Sequence, residues 1–281
     1  MHSIYKLLTW LVLFLGLTGS GVASYWMKVD ADARTYQQFV YNSEEIKLKI
    51  EARLKAHEQT LLSGAAMFNA SETVTRQEWQ SYVQRLRINE HFNGIQGLGF
   101  SLWIPAAQLS AHQARIRAEG FPDYMVRPED KREAYTSIIF LEAFADRNLR
   151  AFGYDMYSEP VRRTAMVRAR DENIITLSGR VTLVQETDKD IQAGTLMYAP
   201  VYRKNQPIDT VEQRRAALFG WVYSPFRIND LLTNIVLPVQ KSNAAQVQLR
   251  VYDGDNTQAE HLLYASHPSS QSILNCRVQF F

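Results

Sequence analysis

The chain has 281 residues, enough for one or two domains with a sizeable core. Its 31 Lys and Arg stand against 29 Asp and Glu, with both signs mixed along the chain, and without a basic stripe nucleic acid is excluded as a partner. The single cysteine, Cys276, excludes an intramolecular disulfide and a Cys-rich metal site, and it reads as a small buried apolar residue.

No charged residue occurs from 7 to 27, and residues 7–17 form an apolar run. About 20 such residues cross the hydrocarbon core of a bilayer. Tyr5 and Trp26 stand where interfacial aromatics anchor the two ends. Gly21-Val22-Ala23-Ser24 offers the small residues of a signal-peptide cleavage point. The apolar run nevertheless continues through Tyr25 and Trp26 into a helical pattern, so residues 1–27 are expected to remain as a transmembrane anchor. Lys6 lies before the span and Lys28 and Arg34 lie after it, which orients it only weakly.

Residues 28–74 read as a stalk helix. Phe39, Ile46, Ile50, Leu54, Leu61 and Ala65 recur at helical spacing, while Glu44, Lys47, Glu51 and Lys55 hold another face. A stripe of this kind packs on the globular body or on the same helix of a second chain, which predicts a homodimer through the stalk. A second helix starts at Thr75, where Thr75 and Glu78 have capping-box spacing ahead of Trp79, Tyr82, Val83 and Leu86. Pro105 suits the first turn of a helix reaching residue 119. Strands are expected at 98–104, 124–127, 135–141, 180–185, 195–202, 217–223, 246–252 and 276–281, with helices at 159–171 and 225–235. The fold class is therefore α+β, with helices against the sheets.

A catalytic reading finds little support. The histidines lack zinc spacing, and no nucleophile elbow or Walker A loop occurs. Gly97 and Gly99 supply only part of a dinucleotide fingerprint, inside a strand pattern. Neither an enzyme nor a cofactor is expected. Asp155 is the polar residue that stands out, because it follows Phe152-Gly153-Tyr154 and precedes a basic helix. A carboxylate among aromatics suits two N–H donors of a planar heterocycle. The local alternative is a helix cap. Ser158, just before Glu159-Pro160, has the better capping position, which would leave Asp155 for a ligand. Arg162 and Arg163 offer a site for an anion, but with Arg168 and Arg170 they read as a solvated or salt-bridged face. Ser178-Gly179 reads as a tight turn; Leu196 and Tyr198 alternate with Met197 along a strand, and Tyr198 either closes a pocket or fills the core.

Three blocks recur together: Arg150-Ala-Phe-Gly-Tyr-Asp-Met with the Glu159-Pro160 basic helix, Ser178-Gly179 with its strand, and Gly194-Thr-Leu-Met-Tyr-Ala-Pro-Val-Tyr202. The stretch resembles the core of the CHASE domain, the extracytoplasmic sensor module of histidine kinases, diguanylate cyclases and plant cytokinin receptors. The resemblance implies a stalk helix carrying two PAS-like subdomains over residues 75–281, a membrane-distal one at 75–203 and a membrane-proximal one at 204–281. It implies a small-molecule sensor held in the cell (inner) membrane and exposed to the periplasm or the cell exterior. In the cytokinin-receptor branch the aspartate matching Asp155 bonds an adenine ring, and the backbone of the leucine matching Leu183 makes a second contact. The expected ligand-binding set is Asp155 and Leu183, which the resemblance implies, together with Ser178, Leu196 and Tyr198 on the segments expected to border the pocket. The alternative from another class is a membrane-anchored module that binds a periplasmic protein. Receptors of this family continue into a second transmembrane helix and an output domain, so the chain reads as part of a longer receptor, a truncated product or an incomplete reading of the gene.

Overall fold

The structure, a computed structural model, describes residues 2–88, 94–185, 192–242 and 249–266. Cys276, the strand expected at 276–281 and the first part of that expected at 246–252 lie outside them.

Membrane-span and stalk patterns merge into one helix, α1 (His2–Ala70), about 100 Å long at 1.5 Å per residue. Its side chains from Ile4 to Met27 are exposed, and this is the one described helix long and apolar enough to cross a membrane. The chain turns after Ala70 and enters α2 (Arg76–Leu86) through the expected capping box: the Thr75 hydroxyl takes the Glu78 N–H, and the Glu78 carboxylate takes the Thr75 N–H.

Five strands build the main sheet: β1 (Leu98–Pro105), β2 (Ala134–Glu142), β3 (Thr176–Leu177), β4 (Gly194–Tyr202) and β5 (Leu218–Arg227). Their order is β2-β1-β5-β4-β3 and every pairing is antiparallel. Helices α3 (Leu109–Ala118), α4 (Pro160–Glu172) and α5 (Val211–Ala217) fill the connections. After β5 come α6 (Ile228–Ser242) and a separate two-stranded sheet, β6 (Arg250–Tyr252) with β7 (Leu262–Ala265). The first sheet includes residues 218–227 as its central strand, on the C-terminal side of the expected 203/204 boundary, and its last residue in the chain is Arg227.

Strand alternation sorts the sheet into two faces. Phe100, Ile104, Met197, Ala199, Val201 and Val222 face one core with Leu61, Ala65, Trp79 and Val83 from α1 and α2. Leu196, Tyr198, Trp221 and Tyr223 face the other with Ala165, Met166 and Ala169 from α4. Gly64 lets α1 lie close on β5: a Cβ there would stand 3.1 Å from Cγ1 of Val222.

The stalk stripe also has a partner within the chain. Phe39, Ile46, Ile50, Leu54 and Leu61 are buried in the same core as Leu231, Leu232, Ile235 and Val239 of α6. This corrects the expectation that the stripe forms a dimer seam: its own chain covers it. Tyr41 and Leu48 on the opposite side are exposed, and so are Tyr36 and Val40 nearer the membrane.

Two expected strands are irregular instead. Residues 124–127 make only a bridge, Arg127 to Tyr154, and residues 180–185 only a bridge, Val181 to Gly194. In the second stretch side chains occupy the groups a ladder would use. Oδ2 of Asp253 accepts the Arg180 N–H at 2.7 Å, and the Thr182 carbonyl accepts from Arg162 at 2.7 Å.

Candidate functional site

The α4 face of the sheet carries the residues singled out in the sequence. Leu183, Leu196 and Tyr198 pack into one buried cluster with Met156, Trp221 and Tyr223. Leu183 reaches it because Gly194 has no side chain: a Cβ there would fall 2.4 Å from Cγ of Leu183. Ser178 sits at the edge, where its N–H donates to the Leu196 carbonyl and its Oγ accepts from the Leu196 N–H at 3.0 Å. The Ser178 side chain thus extends the β3–β4 pairing.

Asp155 is fully buried and heavily engaged. Its Oδ1 accepts from the Thr136 N–H at 3.0 Å, the Thr136 hydroxyl at 2.7 Å and the Tyr157 N–H at 2.9 Å. Its Oδ2 faces Nη2 of Arg132 at 3.0 Å. Asp155 therefore caps the 3-10 turn Met156–Ser158 and ties it to β2. Burial pushes its carboxyl above the ordinary range, against the opposing pull of Thr136, Arg132 and Tyr157. Ser158 is not the cap of α4, as its position suggested. Glu159 caps it, accepting the Val161 and Arg162 N–H groups at 3.0 and 2.9 Å, while the Ser158 hydroxyl donates back to the Asp155 carbonyl. A glutamate in this extended conformation reaches both N–H groups ahead of Pro160, which fits the N1 position because it has no N–H to leave unpaired.

The residues that sequence reasoning passed over lie between these. Arg162, read as part of a solvated face, is only 4% exposed. Its Nη1 donates to the Tyr154 hydroxyl at 3.0 Å and its Nη2 to the Thr182 carbonyl, while the guanidinium lies 5.3 Å from the Tyr154 ring centre. Its Nε is buried and finds no acceptor among the described residues. Tyr223 lies opposite Tyr198 in the β4–β5 ladder, the two rings 6.5 Å apart. The Tyr223 hydroxyl also has no partner among the described residues, and that of Tyr198 reaches only the sulfur of Met156, at 3.6 Å. Burial pushes both tyrosines well above their usual range, partly offset by the nearby Arg162 charge. The signal available in the sequence was Gly99: on β1 opposite Tyr223, it lacks the Cβ that would stand 2.5 Å from the ring. The glycine makes space for a tyrosine lying across the strand.

An open cleft of about 350 Å³ lies beside Phe121, Asp123, Tyr124, Arg127 and Phe152. Arg127 there is held by the carbonyls of Arg150 and Phe152 at 3.1 and 3.0 Å.

Residues 72–264 match the family model of the CHASE domain. No curated protein matches the chain. Among solved structures, an extracellular ligand binding receptor from Desulfohalobium retbaense DSM5692 aligns at 11% identity with a TM-score of 0.47. The alignment covers 82% of this chain and 33% of that one, so the chain spans about a third of that receptor's length.

Proposed function

Because the chain belongs to the CHASE domain family, an extracytoplasmic sensor module, we propose that it is the sensing part of a membrane-anchored receptor of histidine kinase or diguanylate cyclase type, and that a small molecule binds on the α4 face of its main sheet. The observation that carries this reading is the buried Tyr223 hydroxyl and Arg162 Nε, which have no hydrogen-bond partners among the described residues and lie beside a largely apolar cluster. Buried polar groups are nearly always satisfied, and an unsatisfied one costs about 1–3 kcal/mol, which a bound ligand would relieve. Leu183, Leu196 and Tyr198 belong to that cluster, Ser178 bonds the Leu196 backbone beside it, and Asp155 directly precedes Met156 of the same cluster. An adenine derivative bound through Asp155 would have to displace Arg132 from Oδ2.

The five-stranded antiparallel sheet flanked by helices supports a PAS-like membrane-distal subdomain ending near residue 227, with α6, β6 and β7 in the membrane-proximal one. The apolar N-terminus of α1 supports a single span of the cell membrane. Pairing of two stalks would use the exposed face with Tyr41 and Leu48.

A thermal-shift screen of the full chain in detergent, followed by hydrogen exchange, tests the reading. It expects a compound that raises Tm and slows amide exchange at residues 176–183 and 194–202. Protection confined to other segments, or no stabilising compound in a broad metabolite set, overturns it.

A further inference from the structure

Among the described residues, the atoms left over on the α4 side are Nε of Arg162 and the hydroxyls of Tyr223 and Ser101, while Oδ2 of Asp155 has the Arg132 ion pair at 3.0 Å. Arg162 has two nitrogens committed, to the Tyr154 hydroxyl and the Thr182 carbonyl, which fix its guanidinium in place and leave the Nε–H over. The Tyr223 hydroxyl has no partner among the described residues, and thioether sulfur is a weak acceptor for the Tyr198 hydroxyl. The nearby carboxylates are otherwise engaged. Glu159 takes two backbone N–H groups and stands 3.8 Å from Arg162, and Asp155 is held by Thr136, Tyr157 and Arg132. A wall with a buried cation and surplus hydroxyls calls for a ligand with acceptors and negative charge. Bonds from Arg to carboxylate are the strong, charge-assisted kind. A heterocycle presenting N–H groups could donate to the two phenol oxygens but would leave the Nε–H of Arg162 without an acceptor.

We infer that the ligand is a small carboxylate, its oxygens accepting from Nε of Arg162 and from the hydroxyls of Tyr198 and Tyr223. The inference rests on the reading of this wall as a small-molecule site. It names the ligand's class by the chemistry that faces it, and it makes Arg162, more than Asp155, the residue on which affinity depends.

The experiment is a titration of the full chain in detergent with acetate, pyruvate, succinate and benzoate, each set against its amide, and with adenine. The expected result is that at least one acid raises Tm while its amide does not. Tyr223→Phe removes a hydroxyl that has no partner among the described residues, so its unliganded Tm should hold or rise while affinity for the acid falls about tenfold. Arg162→Gln should weaken the acid further, and Tyr223→Phe keeps the test valid should Arg162→Gln fail to fold. Stabilisation by adenine or an amide, equal in wild type and Tyr223→Phe, overturns the inference and leaves the sensor reading standing. An acid that binds both variants as tightly as wild type binds elsewhere and also overturns it. No stabilisation by any of these compounds overturns the inference, whereas the sensor reading falls only if the broader screen is empty as well.

Discussion

Asp155 shows how one side chain changes meaning between sequence and structure. Its neighbours Phe152-Gly153-Tyr154 mark a turn, and the turn is there, with Gly153 at φ +82° and a Cβ position only 2.3 Å from the Met125 carbonyl. What the local pattern could not carry is that Thr136 and Arg132, about twenty residues earlier, supply the donors. Asp155→Ala should therefore cost fold stability, about 3 kcal/mol, because it leaves Thr136, the Tyr157 N–H and Arg132 without their acceptor. Chemical denaturation would measure it; a wild-type midpoint would mean that these bonds contribute nothing net. Histidine behaves in a way that the sequence also left open. Burial, with a smaller push from Arg115, lowers His112 to about 4, and burial with Arg53 lowers His57 to about 3. A base whose folded pKa lies below its unfolded 6.5 gives stability that is present above 6.5 and lost as pH falls toward the folded value. Each histidine should steepen acid unfolding between pH 6.5 and 4 by up to about 1.4 kcal/mol per pH unit. His112→Gln, which retains a partner for the Tyr124 hydroxyl now 2.7 Å from Nε2, should remove about half of that slope in a Tm-against-pH series.

At the scale of elements, periodicity and capping chemistry were legible where an element is self-sufficient. The Thr75–Glu78 box formed as read, and Thr75→Ala should cost about 1 kcal/mol in a denaturation midpoint. The apolar stripe of α1 was legible as buried, but its partner was not, since pattern alone does not say whether a face meets another chain or α6 of its own. Residues 180–185 alternate like a strand, yet the Arg180 N–H and the Thr182 carbonyl are taken by Asp253 and Arg162. Long-range side-chain bonds of this kind leave no periodic trace. Tyr223 was hidden for a related reason: its position alternates correctly, and only the close approach over Gly99 marks it as unusual. Gly99→Ala should force the ring off β1 and cost about 1–3 kcal/mol by overpacking, and it should weaken any ligand held by the Tyr223 hydroxyl. A variant as stable as wild type would place that ring elsewhere.

For the whole molecule, the α+β class and the order of stalk, sheet and second sheet follow the sequence, while the extent of the first sheet required the return of β5 between β1 and β4. Assembly can be separated from folding by cysteine cross-linking in membranes. Because the stripe is covered, cysteines at Ile46 and Ile50 should stay silent between chains, whereas Tyr41 and Leu48 should cross-link if stalks pair. Efficient linkage at Ile46 would require the body to release its own helix.

The continuity of α1 has a mechanical consequence. The residues that touch the sheet, Leu61, Gly64 and Ala65, and the apolar stretch long enough to cross a membrane belong to one rod without a proline. From Gly64 to Lys28 that rod is about 54 Å long. α6 covers the stripe from Phe39 to Leu61, so the part of α1 between the body and Lys28 that stands free is about 16 Å long. Because Cγ1 of Val222 would stand only 3.1 Å from a Cβ at position 64, α1 also lies against the strand that carries Tyr223 on its other face. A shift of that strand would therefore move α1 and α6 together, as one packed unit.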